Sequence, residues 1–272
     1  MSKLRTVAVA IAAGATALAL SACASNPPAA PSSSANANEP TFIADGKLTV
    51  CTHLAFKPFQ FKDASGAIVG YEVDLMDLVA KDLGRTQEIV DIAFDQITSG
   101  AVFAAKKCDV GAAAITIKPE RERAATFAQP HFASKQALMV KTGSGITDLP
   151  DLKGKTVAVQ TDTTGKEYAD ERKAEYGYET KVFDDMPSAS NAVLGTAADA
   201  TVNDNGVLFD FAKDNPGVEV VKEYDTGEFY GFNVGNDNKA LAAKIDQVMA
   251  KAKTDGTFNE IYKKWFGTDA PA

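Results

Sequence analysis

Two kinds of hydrophobic spacing alternate along the chain from residue 47 onward. β-branched runs predict strands, and apolar residues three and four positions apart predict amphipathic helices. Positions 75, 76, 79, 80 and 83 show the helical spacing, and Gly84 is a typical helix stop. In this part of the chain the predicted strands are 47–52, 88–93 and 109–116, and the predicted helices are 73–83 and 95–106. The order β-α-β-α-β predicts a parallel sheet flanked by helices.

The second half of the chain repeats this plan. Its predicted strands are 156–160, 179–183 and 199–203, and its predicted helices are 164–176, 187–196 and 206–213. A strand at 230–234 and helices at 238–253 and 257–265 follow, and they do not begin a third β-α-β unit. We therefore predict an α/β protein with two lobes, each a mainly parallel sheet with helices. The tail returns to complete the first lobe, which puts the chain crossings near 131–136 and 226–230.

The first 23 residues read as a targeting segment. Lys3 and Arg5 precede an Ala-rich apolar run that is too short for a bilayer, which needs roughly 20 apolar residues, so it fits a secretory signal. The run ends in Leu-Ser-Ala-Cys and resembles the lipobox of bacterial lipoproteins, in which the chain is cut before the cysteine, here Cys23, and its sulfur carries a diacylglycerol. The alternative is an ordinary signal peptide with an incidental cysteine. We predict a signal peptide over 1–22 and a lipidated, Ala/Ser/Pro/Asn-rich tether over 23–41.

The net charge and the cysteines indicate which partners and which kinds of site to expect. The formal charge is −8, and it falls to −10 once the signal peptide is removed, so nucleic acid is an unsuitable partner. Besides Cys23, the chain has Cys51 and Cys108. Outside the cytoplasm such a pair favours a disulfide, whereas two cysteines and two histidines in this sequence lack the spacing of metal ligands.

One short segment places a positive charge where a helix disfavours it. In AAAITIKPERERA, residues 112–124, Pro119 opens a predicted helix that has Arg121 in its first turn. A cation there faces the positive end of the helix dipole, at a cost of roughly a few tenths of a kcal/mol or more. Two interpretations stay open. Either an anionic ligand arrives at Arg121, whose charge Glu120 and Glu122 offset in the empty protein, or Arg121 is a solvated partner of those neighbours.

Ligands of open parallel sheets bind beyond the carboxyl ends of the strands. The residues expected there are 53–59, 116–121, 161–165 and 203–204. They include cationic and anionic side chains, several hydroxyl groups and aromatic rings, which together complement a zwitterion. They form no evident nucleophile–base pair, phosphate loop or metal cluster. We therefore predict a binding protein without catalytic residues, metal or cofactor.

Seven stretches of the chain carry a family resemblance. They are FKPFQF (56–61), GYEVDLMDLVAKDLG (70–84), CDVGAAAITIKPERER (108–123), DLKGKTVAVQTDTTGKEYA (151–169), ADATVNDN (198–205), YGFNV (230–234) and DGTFNEIYKKWFG (255–267). In these the chain resembles the polar-amino-acid family of periplasmic solute-binding proteins, bacterial family 3, which are the receptors of ABC importers. The resemblance implies a Venus-flytrap fold, with lobe one at 42–131 and 230–272 and lobe two at 132–229.

The resemblance also implies roles for individual residues. Arg121 grips the α-carboxylate of the ligand, and Asp204 pairs with its ammonium. The remaining implied contacts are the side-chain-sandwiching rings Phe56 and Tyr71, the carbonyl of Ala114, the hydroxyl of Thr116 and the N–H of Thr164, with His53 and Gln160 as further candidates for the ligand side chain. The structural alternatives are that the two rings are core residues and the two threonines are helix caps.

One departure from the family bears on the ligand. Binders of basic amino acids and of glutamine tend to carry Asp where this chain has His53. The prediction is therefore a polar neutral or acidic amino acid, with His53 either donating to its side chain or packing under the cleft. Rival predictions are a dehydratase-like enzyme, for which His53 is the histidine available as acid–base on the first strand, and the sensing subunit of a receptor.

The resemblance implies partners and a location as well. The expected partners are an amino acid, the permease and ATPase complex of an ABC importer, and a membrane reached through the lipid on Cys23. The expected protein is a monomer, held at the outer face of the cell membrane or in the periplasm.

Overall fold

The structure is a computed structural model that describes residues 39–271. Its strands are β1 (Lys47–Thr52), β2 (Phe61–Lys62), β3 (Ile68–Val69), β4 (Thr86–Asp91), β5 (Val110–Gly111), β6 (Thr126–Phe127), β7 (Phe132–Lys141), β8 (Thr156–Gln160), β9 (Glu179–Phe183), β10 (Ala200–Asp204), β11 (Val218–Tyr230) and β12 (Asn233–Val234). Its α-helices are α1 (Tyr71–Asp82), α2 (Phe94–Thr98), α3 (Ala101–Ala104), α4 (Pro119–Ala124), α5 (Thr164–Tyr176), α6 (Met186–Leu194), α7 (Asn205–Asp214), α8 (Lys239–Asp255) and α9 (Thr257–Phe266). Within 39–271, no helix has the length and apolar character needed to cross a membrane. The predicted signal peptide, Cys23 and most of the predicted tether lie outside the described residues.

Two five-stranded sheets organise the described chain. The order in the first sheet is β4-β1-β5-β12-β6, and the order in the second is β11-β7-β10-β8-β9. We call the first sheet with α1–α4, α8 and α9 lobe one, and the second sheet with α5–α7 lobe two. The strand β12 inserts between β5 and β6, so the tail of the chain completes the first sheet.

Both sheets are mixed rather than mainly parallel. In lobe one, β1 pairs in parallel with β4 and β5, whereas β12 is antiparallel to both of its neighbours. In lobe two, β8 pairs in parallel with β9 and β10, whereas β7 is antiparallel to β10 and β11. The parallel part of each sheet is the part that the β-α-β pattern predicted.

The two segments that pass between the lobes run side by side. Phe132, at the start of β7, pairs with Tyr230, at the end of β11. Their rings stack with centroids 5.4 Å apart, and both rings contact Phe59 of lobe one. The crossing strands are therefore held together by backbone pairing and by an aromatic cluster.

A disulfide joins Cys51 in β1 to Cys108, which lies just before β5, with the Cα atoms 5.6 Å apart. Because β1 and β5 are neighbouring strands, the bond links adjacent parts of one sheet. Both cysteines are buried in a small apolar cluster with residues of α2 and α3, including Ile97 and Val102. The predicted disulfide is present in the structure.

The predicted helix over 95–106 is broken in two. Ser99 and Gly100 separate α2 from α3, and Gly100 has a φ of 73°. A Cβ atom at Gly100 would lie 2.7 Å from the carbonyl oxygen of Ala124, so this break is also a point of close backbone approach. The predicted strand over 109–116 is likewise shorter, because only β5 is regular and the following residues form a loop that leads to α4.

Candidate binding site

Arg121 lies in α4 and is 4 % exposed, so it is not a solvated helix residue. Its Nη1 donates to the carbonyl oxygen of Thr116, 3.1 Å away. Its Nη2 donates to the carbonyl oxygen of Asp162 in lobe two, 2.7 Å away. The guanidinium therefore faces the junction of the two lobes.

The charge of Arg121 is not balanced in the way the sequence predicted. Glu120 instead faces Arg123, with 3.6 Å between Oε1 and Nη2, and both side chains are exposed. Burial lowers the pKa of Arg121, and the negative charges of Asp162 and then of other carboxylates, Asp204 among them, oppose that shift. The compensation for Arg121 therefore comes from lobe two rather than from its own helix.

Asp204 ends β10 and is 7 % exposed. Its Oδ2 accepts a hydrogen bond from the hydroxyl of Tyr230, and its Oδ1 accepts one from Nε2 of Gln136, each at 2.5 Å. Burial raises the pKa of Asp204 to about 7, and the charge of Glu228 adds to this effect. The hydrogen bonds from Tyr230 and Gln136 and the charge of Arg121 act in the opposite direction.

A chain of polar contacts joins these two charged residues. Arg121 bonds the carbonyl of Thr116, whose hydroxyl oxygen lies 3.5 Å from that of Thr164 in lobe two. The Thr164 hydroxyl oxygen lies 3.1 Å from Nε2 of Gln136, and the same nitrogen donates to Asp204. The structure thus brings four predicted site residues, Arg121, Thr116, Thr164 and Asp204, into one network between the lobes. Because both charges are buried, the cleft between them is closed.

The N-terminus of α5 packs tightly against this network. Thr163 caps the helix by accepting from the N–H of Lys166, so Thr164 is its first residue and has an N–H without an intrahelical acceptor. A Cβ on Gly165 would lie 2.8 Å from Oε1 of Gln136 and 2.9 Å from the carbonyl oxygen of Val202. A glycine at this position therefore lets the helix start approach β10.

The ring of Phe94 lies beside Arg121, and the ring of Phe56 lies next to that of Phe94. The rings of Phe56 and Phe94 have centroids 5.8 Å apart, and the guanidinium of Arg121 lies 5.5 Å from the ring centroid of Phe94. The ring of His53 is 5.5 Å from that of Phe56 and 6.2 Å from that of Phe94. Phe94 was not predicted as a site residue, although it begins α2 directly after β4, and that position beyond the end of a strand was the available signal.

The structure does not place Tyr71 with Phe56. Tyr71 is fully buried, and its ring packs against aromatic residues of the crossing strands and of α9, including Phe132 and Phe266. Its hydroxyl donates to the carbonyl oxygen of His131, 3.0 Å away. Tyr71 is therefore a core residue of lobe one, and its predicted role as the second ring of the sandwich is wrong.

The loop that carries Ala114 has an unusual backbone. Ala114 has a φ of 52°, a left-handed conformation that costs of order 1 kcal/mol for a residue with a Cβ. Its N–H donates to Oε2 of the buried Glu72, 2.9 Å away. The other oxygen of Glu72 lies 3.2 Å from Nε2 of His131, at the start of the chain crossing. A buried carboxylate of α1 therefore holds the loop and contacts the crossing.

His53 and Gln160 lie at the carboxyl ends of β1 and β8. Nδ1 of His53 is 3.1 Å from the carbonyl oxygen of Ile92, whereas its Nε2 is buried and has no hydrogen-bond partner. Gln160 is fully buried, and its Nε2 is 3.5 Å from the carbonyl oxygen of Asp184. Within residues 39–271, no group of His, Cys, Asp and Glu has an arrangement that could hold a metal ion.

Ion pairs also connect the lobes away from Arg121. Lys57 of lobe one lies 2.7 Å from Oδ2 of Asp214 and 3.3 Å from Oδ2 of Asp210, both in α7. On the other side, Lys118 pairs with Glu167 of α5. A cavity of about 420 Å³ lies between the lobes beside Lys57. These pairs hold the lobes in their closed arrangement.

Residues 48–268 match the family described as bacterial extracellular solute-binding proteins, family 3. Among curated relatives, the ABC transporter arginine-binding protein 1 of Escherichia coli (strain K12) is 28 % identical over 225 residues, covering 81 % of this chain and 90 % of the relative. The ABC transporter glutamine-binding protein GlnH of Bacillus subtilis (strain 168) is 30 % identical over 210 residues, covering 76 % of each. A similar solved structure is an ancestral arginine-binding protein bound to arginine, with 38 % identity, a TM-score of 0.77, and coverage of 81 % of this chain and 98 % of the other.

Proposed function

Because this chain belongs to family 3 of the bacterial extracellular solute-binding proteins, we propose that it captures one free amino acid between its lobes and delivers it to the permease of an ABC importer. The observation that carries the proposal is that Arg121 of lobe one and Asp204 of lobe two belong to one buried polar network. An α-amino acid supplies a carboxylate for the guanidinium and an ammonium for the aspartate. Both are charge-assisted hydrogen bonds, roughly twice as strong as neutral ones.

The proposal extends to the remaining contacts with the ligand. The N–H of Thr164, at the start of α5, joins Arg121 in binding the α-carboxylate, because the N-terminus of a helix favours an anion. The Thr116 hydroxyl and the Ala114 carbonyl complete the polar contacts. The rings of Phe56 and Phe94 hold the ligand side chain, so that Phe94 takes the place first assigned to Tyr71.

The side chain of the ligand is a hydrogen-bond donor in this proposal. A backbone carbonyl only accepts, so the contact with Ile92 puts the proton of neutral His53 on Nδ1 and leaves Nε2 as an acceptor. As an acceptor without a partner, Nε2 can accept a hydrogen bond from the NH₂ group of a ligand carboxamide. A ligand carboxylate would instead require the imidazolium form of His53 as donor. The candidate residues for this end, His53 and Gln160, carry no negative charge, which favours a polar neutral amino acid such as glutamine over arginine.

The ligand works by stabilising the closed arrangement of the lobes. Its carboxylate and ammonium contact both lobes only when these are close, and this difference in contacts shifts the population toward closure. The closed form then docks on the permease. We propose no catalytic role, since His53, the acid–base that the dehydratase alternative needs, is engaged with Ile92 and lies against aromatic rings.

Attachment to the membrane belongs to the same proposal. A diacylglycerol on Cys23 would keep the receptor near its permease, because two acyl chains anchor stably where one does not. The segment up to residue 41 would serve as the tether, and the protein would act as a monomer at the outer face of the membrane or in the periplasm.

Isothermal titration of the purified protein with each of the twenty L-amino acids tests the function. We expect heat of binding from one or a few polar amino acids and much weaker binding of their α-deaminated and carboxyl-amidated forms. Absence of binding by all twenty amino acids contradicts the proposal. Tight binding of arginine but not glutamine would keep the transport role and overturn the assignment of the side-chain contact.

A further inference from the structure

The side chain of Gln136 is surrounded by more hydrogen-bond acceptors than it can serve. It is fully buried, and its Nε2 lies 2.5 Å from Oδ1 of Asp204, 2.7 Å from Oε2 of Glu228 and 3.1 Å from Oγ1 of Thr164. A carboxamide nitrogen has two hydrogens, so it serves at most two of these three acceptors. The two carboxylates take those hydrogens best, because hydrogen bonds to ionised acceptors are the stronger ones.

The other end of the same carboxamide lacks a partner. Oε1 of Gln136 is buried and accepts no hydrogen bond. Exchanging the positions of Nε2 and Oε1 would point an oxygen at Asp204 and Glu228, which is repulsive, so the observed orientation is the favourable one. The Tyr230 hydroxyl also donates to Asp204, but two carboxylates and an unpartnered carbonyl oxygen still surround a single NH₂ group. The site is therefore short of donors.

The two carboxylates come from different strands of lobe two. Asp204 lies directly opposite Gln136 in the pairing of β10 with β7. Glu228 lies on β11, just after an irregularity in its pairing with β7 between Tyr224 and Glu228. This irregularity brings Glu228 to Gln136, although Tyr224 is the residue of β11 that pairs with it. Two carboxylates at one nitrogen repel each other unless a positive charge is present.

We propose that Glu228 is a second carboxylate of the ammonium-binding site, and that the ammonium of the ligand binds between Asp204 and Glu228 in place of the Gln136 amide. An ammonium has three donors and a positive charge, which supplies what the empty site lacks: a donor for each carboxylate and one for Oε1 of Gln136. Glu228 was not predicted from the sequence. The inference rests on the proposed function and deepens it, because it assigns a second carboxylate to the binding of the α-ammonium.

The effect of Glu228 on Asp204 agrees with this arrangement. The charge of Glu228 is the second cause, after burial, of the raised pKa of Asp204. An ammonium between them would favour both ionised carboxylates at once. A ligand with hydrogen in place of the ammonium leaves this repulsion in force and is therefore disfavoured.

The variant Glu228→Gln tests the inference by removing the charge at nearly constant shape. Glu223→Gln is the matched control, because Glu223 is an exposed residue of β11 whose carboxylate accepts from Asn205 rather than from Gln136. Titrations use L-glutamine and L-arginine together with their deaminated analogues, glutaramic acid and 5-guanidinopentanoic acid. If another amino acid binds the wild type instead, it and its deaminated analogue replace these pairs.

We expect Glu228→Gln to raise the Kd of the amino acid about tenfold. The Kd of the deaminated analogue should stay the same or fall, because the variant lacks the charge that repels Asp204. Glu223→Gln should change neither. The affinity of Glu228→Gln should also persist to lower pH than that of the wild type, because the charge that raises the pKa of Asp204 is gone.

Two results overturn the inference and leave the proposed function standing: unchanged amino-acid affinity in Glu228→Gln, or equal weakening of both members of a ligand pair, which would indicate a structural role. A wild-type protein that binds none of the twenty amino acids removes the proposed function itself.

Discussion

Arg121 of lobe one donates a hydrogen bond of 2.7 Å to the backbone carbonyl of Asp162 in lobe two. Through this bond the residue proposed to bind the α-carboxylate also joins the lobes when the cleft is closed. A carboxylate is a better acceptor for a guanidinium than a carbonyl, so a ligand would displace Asp162 while keeping the lobes together.

Substitution of Arg121 should abolish binding. We expect Arg121→Ala to raise the Kd roughly 100-fold, since it removes a buried, charge-assisted contact. Arg123→Ala is the matched control, because Arg123 lies in the same helix but is exposed and pairs with Glu120. Isothermal titration measures both, and equal effects of the two changes would show that Arg121 acts through general charge rather than contact.

An experiment distinguishes Phe94 from Tyr71 as the ring that contacts the ligand side chain. Phe94→Leu should raise the Kd roughly tenfold, because it removes a ring that faces Phe56. Tyr71→Leu should lower the thermal midpoint and leave the Kd within about twofold, because Tyr71 packs in the core of lobe one. Thermal unfolding and titration of the same preparations distinguish these outcomes, and a large change in Kd for Tyr71→Leu alone would restore the original assignment.

Binding should become tighter as the pH rises from 6 to 8. The pKa of Asp204 is raised to about 7, so the aspartate of the empty protein is largely protonated at pH 6 and ionised at pH 8. Since the ammonium requires the carboxylate, the Kd should be about tenfold lower at pH 8 than at pH 6, with proton release on binding near pH 7. Titrations in buffers of different ionisation enthalpy measure the released proton, and Asp204→Asn should bind weakly without this pH dependence.

The raised pKa of Asp204 makes the empty protein less stable as the pH rises, whereas ligand binding becomes tighter. A carboxyl group whose pKa is raised by folding stabilises the folded state below its unfolded value, near 3.8, and this contribution is lost as the pH rises through about 7. A ligand ammonium pairs with the ionised carboxylate and so offsets this loss of stability at high pH. The increase in thermal midpoint caused by the ligand should therefore be larger at pH 8 than at pH 6.

The ion pairs of Lys57 with α7 should favour the closed state. Lys57→Met removes both contacts with Asp210 and Asp214, and exposed pairs of this kind are individually weak. We expect the Kd to rise roughly two- to fivefold at low salt and less at high salt. Lys62→Met is the control, since Lys62 is an exposed lysine lining the same cavity. Identical behaviour of the two variants would argue against a role for the pairs in closure.

The disulfide should contribute strongly to the stability of lobe one. Its cysteines are 57 positions apart, and a loop of that length gives about 4 kcal/mol in the chain-entropy model. We expect the double change Cys51→Ala and Cys108→Ala to lower the thermal midpoint by roughly 10 °C. The affinity for ligand should stay nearly constant, because the bond lies in a buried apolar cluster. A large loss of affinity in the folded variant would contradict this.

Local patterns predicted the parallel parts of both sheets. The strand β1 and the helix α5 lie where β-branched runs and helix signals placed them. The strand β11 was missed because it alternates charged and half-buried residues, as an edge strand does, and so reads as loop. Its pairing with β7 depends on contacts that no local pattern contains.

The sequence predicted those residues of the candidate site whose charge and whose position near a strand end both indicated ligand binding. Arg121 lies in the helix that follows the predicted strand 109–116, and Asp204 ends β10. The structure puts these opposite charges in one network. Phe94 and Tyr71 could not be distinguished, because each is an aromatic residue at the start of a helix. What separates them is tertiary packing: Tyr71 meets α9, and Phe94 meets Phe56. Glu228 was missed for the same reason, since an irregular strand pairing brings it to Gln136.

The pairing of Phe132 with Tyr230 sets how the halves of the molecule are able to move. Since the two connections are neighbouring strands of one ladder, they form a single two-stranded ribbon. A ribbon bends readily across its flat face and resists bending in its own plane. Opening of the lobes should therefore follow one preferred rotation axis. The hydrogen bond from the Tyr230 hydroxyl to Asp204 lies close to that axis. We expect the ammonium end of the site to shift little during opening and the parts of the cleft most distant from this ribbon to travel furthest.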